Sequence, residues 1–182
     1  AAQFPPLVKN ALGADQTVAT LFLATFSVGV AIGSVAVNRL LGGKVSARYS
    51  PASALLMGLF VLDLYRRVKG WPVPAAELRD LTAFLAMPNS WMIVLDLLGV
   101  AVSGGMFVVP LYAFLTTTVP KSEPARTIAA NNIVNSGLMV AATLVLTAAV
   151  QLGVTVADSL LIVAVATVIS AWLGWKLHLA CD

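Results

Sequence analysis

The only imidazole of this 182-residue chain is His178, close to the carboxyl end. No Ser-His-Asp arrangement, the nucleophile and base that a hydrolase or transferase needs, is written around it. His178 and Asp182 are separated by three residues, not the four of the HxxxxD spacing with which acyltransferases activate an acceptor hydroxyl. Cys181 is the only cysteine, which excludes an internal disulfide or a thiolate zinc cluster and leaves the redox compartment open. There is no GxxxxGK[ST] loop for ATP phosphates, no GxGxxG after a strand, and no His/Cys/carboxylate cluster spaced for a metal. The expectation is a chain without cofactor or metal that is not an enzyme. What remains are Asn131, Asn132 and Asn135 in apolar surroundings. Spacings of three and four residues put them on one helical stripe, which can face a watery cavity or make hydrogen bonds between helices.

The elements that must carry this stripe follow from composition. Hydrophobic residues make up 59% of the chain and charged residues 10%, against about 25% charged in an average soluble domain. Five nearly uncharged stretches recur, each close to the ~20 residues needed to cross hydrocarbon. Lipid leaves no partner for an open backbone, and alternating polarity is missing, so helices are expected and barrel strands are not. The fold class expected is an all-α membrane protein with five complete transmembrane helices.

Residues 1–16 precede the first span, expected over 17–41, where Gly29 and Gly33 form a GxxxG pair. Such a pair lets another helix backbone come close, with chance spacing in a Gly-rich chain as the alternative. A basic loop, 42–49, leads to a shorter span over 50–65 that crosses only if its ends snorkel; Asp63 and Arg66 are expected to form an interfacial ion pair one turn apart. Residues 66–90 form the most polar stretch, containing Pro72, Pro74 and Pro88. Within it Leu78, Leu81 and Leu85 suggest a short amphipathic surface helix, or a plain solvated one.

The third span is expected over 91–118, entered at Trp91, with Asp96 early, Ser103, Gly104 and Gly105 near the middle, and Pro110 beyond. Asp96 lies about 7 Å inside the interface at ~1.5 Å per residue, so snorkelling should keep it partly wet. Gly and Pro at depth suggest a helix that bends, with tight packing around small residues as the other reading. A turn over 119–126 precedes the Asn-bearing span, 127–152, and the last span, 154–175, ends in Trp172, Trp175 and Lys176 before a tail over 176–182.

The net charge of +3 gives no support to nucleic acid binding. Counted on alternate sides, Arg39, Lys44, Arg48, Lys121, Arg126 and Lys176 face Lys9, Arg66, Arg67, Lys69 and Arg79, a balance that does not orient the chain by the positive-inside rule. The sequence opens on Ala1-Ala2-Gln3 without Met or a recognisable leader, and a piece of something longer is expected.

After the first span, Gly33-Ser34-Val35-Ala36-Val37-Asn38-Arg39-Leu40-Leu41-Gly42-Gly43-Lys44 resembles the loop signature of the major facilitator superfamily, G-x(4)-D-R-x-G-R-[RK]. Asn38 replaces the usual Asp, one residue is inserted before Gly42, and Lys44 alone remains of the basic tail. The stretches Gly104-Gly105-Met106-Phe107-Val108-Val109-Pro110-Leu111-Tyr112-Ala113 and Arg126-Thr127-Ile128-Ala129-Ala130-Asn131-Asn132-Ile133-Val134-Asn135 resemble bacterial lysophospholipid transporters of that superfamily. Phe60-Val61-Leu62-Asp63-Leu64-Tyr65 fits the same pattern. The resemblance covers nearly the whole chain and aligns with the second six-helix half, from the end of helix seven through helix twelve.

The resemblance implies transport of lysophospholipids, chiefly lysophosphatidylethanolamine, across the bacterial inner membrane by alternating access, beside a fused or separate acyltransferase. It implies a cytoplasmic loop at Asn38, Arg39, Gly42 and Lys44, and a partner in the first six-helix half. Asn131, Asn132, Asn135, Ser103 and Tyr112 are the candidate substrate-binding residues; Gly29, Gly33, Gly104, Gly105 and Pro110 are candidates for packing or gating. Membrane lipids are the other expected partners. Two other readings stay open: a facilitator for another amphiphile or small solute, since fold does not fix function, and a membrane anchor for a fused acyltransferase.

Overall fold

A computed structural model of the protein describes residues 4–72, 77–117, 119–120 and 123–181. Ala1, Ala2, Gln3, Pro74, Lys121 and Asp182, named above, lie outside the described residues, as does residue 118 at the end of the third expected span. The described chain is helical, without a named strand. A short α1 (Phe4–Pro6) runs into a π-helical turn (Leu7–Ala11), followed by α2 (Gln16–Leu40), α3 (Ser50–Lys69), α4 (Leu81–Ala86), α5 (Ser90–Thr117), α6 (Pro124–Gln151) and α7 (Val156–Cys181). Among the described residues, α2, α5, α6 and α7 are long and apolar enough to cross a membrane. At 1.5 Å per residue even the 25 residues of α2 extend about 37 Å, more than the ~30 Å hydrocarbon layer.

Local signals set the helix starts. Asp15 caps α2 by accepting from the Thr17 amide at 2.8 Å, and Asp80 caps α4 by accepting from the Ala83 amide at 2.8 Å. The Thr17 hydroxyl bonded to Asp15, and the Ala83 amide bonded to Asp80, hold both carboxyls below their ordinary range. Pro51 and Pro124 occupy first-turn positions of α3 and α6, where a missing N–H costs nothing. Thr155 and Asp158 form a reciprocal cap on α7: the Asp158 amide donates to Thr155 Oγ1 at 3.1 Å and that hydroxyl donates to Asp158 Oδ2 at 2.7 Å.

Several boundaries differ from the sequence expectation. The second span extends to Lys69, so Arg66, Arg67 and Lys69 close its last turn instead of opening a loop; cations suit the negative end of a helix dipole. The Asn-bearing helix starts at Pro124 and takes Arg126 into its first turn. The last helix continues past Trp175 through His178 to Cys181. Between α3 and α5, α4 is only six residues long, and Leu78 lies outside it and is exposed. Phe84, fully buried, is the residue that α4 turns inward.

The helices pack in the order α2, α5, α3, α7, with α5 central between α2 and α3. Lipid tails are as apolar as leucine, so these contacts depend on close van der Waals fit rather than on exclusion from water. Gly29 and Gly33 supply that fit: a Cβ on Gly29 would stand 2.5 Å from the Ala101 Cβ, and one on Gly33 would run into the Val102 carbonyl. From the other side, a Cβ on Gly105 would stand 2.6 Å from the Val30 carbonyl oxygen. The GxxxG pair of α2 is therefore interlocked with Ala101 and Gly105, themselves four residues apart on α5.

The apolar core gathers at one end of this bundle. Leu12, Val18, Phe22, Phe84 and Ile93 are fully buried there, with Phe84 edge-on to Phe22 at 5.9 Å and tilted against Trp71 at 5.6 Å. Hydrogen bonds clamp the connecting segments across it: Trp71 Nε1 donates to the Leu12 carbonyl at 3.2 Å and Arg79 Nη1 to the same oxygen at 2.9 Å. A two-way backbone bridge, Asp15 N to Arg79 O and Arg79 N to Gly13 O, each 2.9 Å, completes the clamp. By contrast α6 stands apart, touching α5 and α7 sparsely and contributing no buried residue.

Candidate functional site

The gap between α6 and its neighbours opens a cavity of about 460 Å³ walled by Val108, Leu111, Tyr112, Asn131, Asn135 and Leu177, among others. Tyr112 is its polar centre. Its hydroxyl donates to Asn132 Oδ1 at 3.1 Å and accepts from Asn131 Nδ2 at 3.2 Å. Adjacent residues on a helix point about 100° apart, so one phenol bridging Asn131 and Asn132 fixes the rotation of α6 against α5. Two residues before Tyr112, Pro110 is buried within α5. A proline there has no N–H for the carbonyl one turn earlier, which loosens the helix next to the site.

Ser103 does not line this cavity. Tyr112 lies nine positions further on, and nine steps of about 100° bring a side chain to the opposite side of the helix. It is fully buried on the stripe of Asp96, which faces α3, and its Oγ has no hydrogen-bond partner among the described residues. Gly104 meets only the Met57 sulfur, at 3.8 Å from an added Cβ, so it makes no close backbone contact of the kind seen at Gly105. Asn38 and Arg39 lie in the last turn of α2, Gly42 in the turn that follows it and Lys44 just beyond. Gly42 and Gly43 hold φ of 57° and 74°, left-handed values that suit glycine, and Gly43 donates to the Asn38 carbonyl at 3.2 Å.

A separate charged cluster links α3 and α5. Asp63 pairs with Arg67 at 2.7 Å; the partner expected from sequence, Arg66, is not the one used. Four residues and three both complete about one helical turn, and the choice is made by Asp96 of α5, whose Oδ2 lies 2.9 Å from Arg67 Nε. Asp96 is not the partly wet carboxylate expected: its side chain is 7% exposed. The N–H of Arg67 Nε is directed at Asp63, 3.0 Å away, so Asp96 Oδ2 is paired by charge while lacking a hydrogen bond of good geometry. Arg67 lies four residues after Asp63, and that spacing was the sequence signal for this cluster.

At the N-terminus of α7, Lys69 donates to the Tyr65 hydroxyl at 2.6 Å and to Asp158 Oδ1 at 3.2 Å, and Tyr65 donates to that oxygen at 3.2 Å. This cluster escaped the sequence reading, although Thr155-x-x-Asp158 carries the signature of a helix cap. No group of three His, Cys, Asp or Glu side chains able to hold a metal exists among the described residues.

No protein family, curated protein or solved structure matches this chain. The case for its function therefore rests on its own residues.

Proposed function

We propose that this chain is part of a secondary transporter, the second half of a major facilitator fold, that moves lysophospholipids of the lysophosphatidylethanolamine class across the bacterial inner membrane. The reading is carried by one observation: Tyr112 and Asn131, on the wall of a cavity between two membrane-length helices, form a hydrogen-bonded polar centre with the adjoining Asn132. Polar side chains inside a spanning helix are costly in lipid and mark substrate paths. The motif resemblance over Gly104 to Ala113 and Arg126 to Asn135 supplies the substrate class, and any acyl transfer is assigned to another domain or protein.

Alternating access requires two halves around a midplane site. The uncovered surface of α6 fits a helix that meets a partner bundle, and the cavity beside it would then become half of a cleft. α3 is the fifth span in this reading. Its 20 residues extend about 30 Å, it lies between two membrane-length helices, α5 and α7, and its charges gather at one end, as snorkelling requires.

The test is uptake of lysophosphatidylethanolamine by spheroplasts carrying the full-length protein. Asn132→Ala and Asn135→Ala are expected to lower uptake several-fold at equal expression. Undiminished uptake by both would take this cavity out of the transport path.

A further inference from the structure

At the opposite end of α6 from Asn131, a second opening has the chemistry of an amphiphile. Its mouth, about 310 Å³, carries Asn10, Thr143, Thr147, Gln151 and Ser159. None of these is charged. Asn10, Thr147 and Gln151 have no side-chain hydrogen bond among the described residues, whereas the Ser159 and Thr143 hydroxyls donate to the Val156 and Met139 carbonyls at 2.6 and 2.8 Å, leaving oxygens that can accept. The mouth shares Leu146, Val156 and Ser159 with a narrower groove of about 150 Å³, lined without any exposed polar surface by Phe26, Val61, Leu97, Val100 and Val163 among others.

We infer that this paired opening binds a single-chain glycerolipid, with its acyl chain in the groove and its glycerol and ester at the mouth. Three observations choose that occupant. The mouth lies where α6 ends at Gln151 and α7 begins at Val156, and spanning helices end at the interface, the depth of lipid glycerol. The groove runs inward along α7 from Val156 to Val163, about 10 Å at 1.5 Å per residue, and its volume of about 150 Å³ over that length is no more than one acyl chain fills. Its loosely held wall is α6, so the groove borders the surrounding lipid, and hydrocarbon is what that medium supplies. The mouth's neutral donors and acceptors match hydroxyl and ester groups and hold no counter-charge for a bare ion.

This site is distinct from the Asn131 cavity and does not depend on transport, because its test reads binding. The full-length protein in nanodiscs is exposed to lysophosphatidylethanolamine carrying a diazirine at the chain terminus, and the photolabelled peptides are mapped. Labelling is expected on Val61, Leu97 or Val100, and an excess of unlabelled lysophosphatidylethanolamine should suppress it at least tenfold better than the diacyl lipid. Leu146→Trp fills the groove from α6, the helix with least packing to disturb, and should reduce labelling at least tenfold. Thr147→Val, nearly isosteric, should reduce it several-fold, while Asn131→Ala should leave it unchanged.

The inference is overturned if label falls on lipid-facing positions such as Val165 and Val168, if diacyl lipid competes equally, or if Leu146→Trp labels as strongly as the wild type. It is also overturned if cysteines placed at Thr147 and in any segment preceding residue 1 cross-link fully, since protein would then fill the groove.

Discussion

Arg67 Nε of α3 lies 2.9 Å from Asp96 Oδ2 of α5, and the carboxylate it reaches is almost wholly buried. The same guanidinium holds Asp63 at 2.7 Å, so one cation serves two carboxylates across the seam between two helices. The neighbouring Arg66 takes no part in it.

Removing Arg67 strands a buried carboxylate. Arg67→Ala is expected to destabilise the protein by about 3 kcal/mol, the usual scale for breaking a buried pair from one side. Asp96→Asn should cost less, because it removes the charge together with its need for a partner, and Arg66→Ala should cost nothing measurable. Thermal unfolding in detergent checks all three; equal losses for Arg66→Ala and Arg67→Ala would refute the assignment.

The α2–α5 seam makes a sharper prediction about size than about polarity. Gly33→Ala puts a methyl group into the Val102 backbone, and a rigid backbone yields less readily than a side chain. A loss of about 1–3 kcal/mol is expected, as for overpacked cores. Gly104→Ala, whose nearest neighbour is a flexible Met57 side chain at 3.8 Å, should leave the melting temperature unchanged. The two variants differ by the same single methyl, so a helix-propensity effect would move both alike.

Tyr112 separates a structural role in the cavity from a substrate-binding one. Tyr112→Phe removes the hydroxyl that bridges Asn131 and Asn132 and should cost about 1 kcal/mol or less in stability, the range for hydrogen bonds between membrane helices. If the polar centre binds a headgroup, uptake should fall several-fold more than stability explains. Parallel measurement of uptake and melting temperature decides it.

Acid should release both helix caps. Asp15 and Asp80 both have carboxyls lowered from 3.8, so their stabilisation is fully present above 3.8 and disappears as pH falls through the lower folded value. Neutral-pH behaviour is unaffected. Trp71 rests against Phe84 of α4, so its fluorescence reports the α4 cap. A transition below 3.8 is expected in the wild type, and Asp80→Asn should abolish it; the same transition in that variant would assign it to another group.

Much of the helical plan could be read from residue types alone. The apolar blocks around Ala31, Val100, Val140 and Val165 are long enough to announce α2, α5, α6 and α7, and the Gly29–Gly33 spacing announced a close contact. Its counterpart, Ala101 and Gly105, was not legible, because a small-residue stripe does not say which stripe it meets. The site was half legible. Asparagine spacing marked the polar face of α6, but Ser103, a candidate binding residue of the same reading, is put by helix rotation on the far side of α5 from Tyr112.

The sequence determined by itself what the backbone must do in its solvent: apolar runs this long close their hydrogen bonds locally, and a helix needs no distant residue to do so. Tertiary structure decided every choice among near-equal local options. Asp63 could reach a cation three or four residues on, and Asp96 of another helix selected Arg67. Leu78 or Phe84 could anchor the loop segment, and the space beside Phe22 and Trp71 selected Phe84. Such choices depend on which surfaces come within contact distance after packing, and dispersion and ion pairing, which act over a few ångströms, carry no signature along the chain.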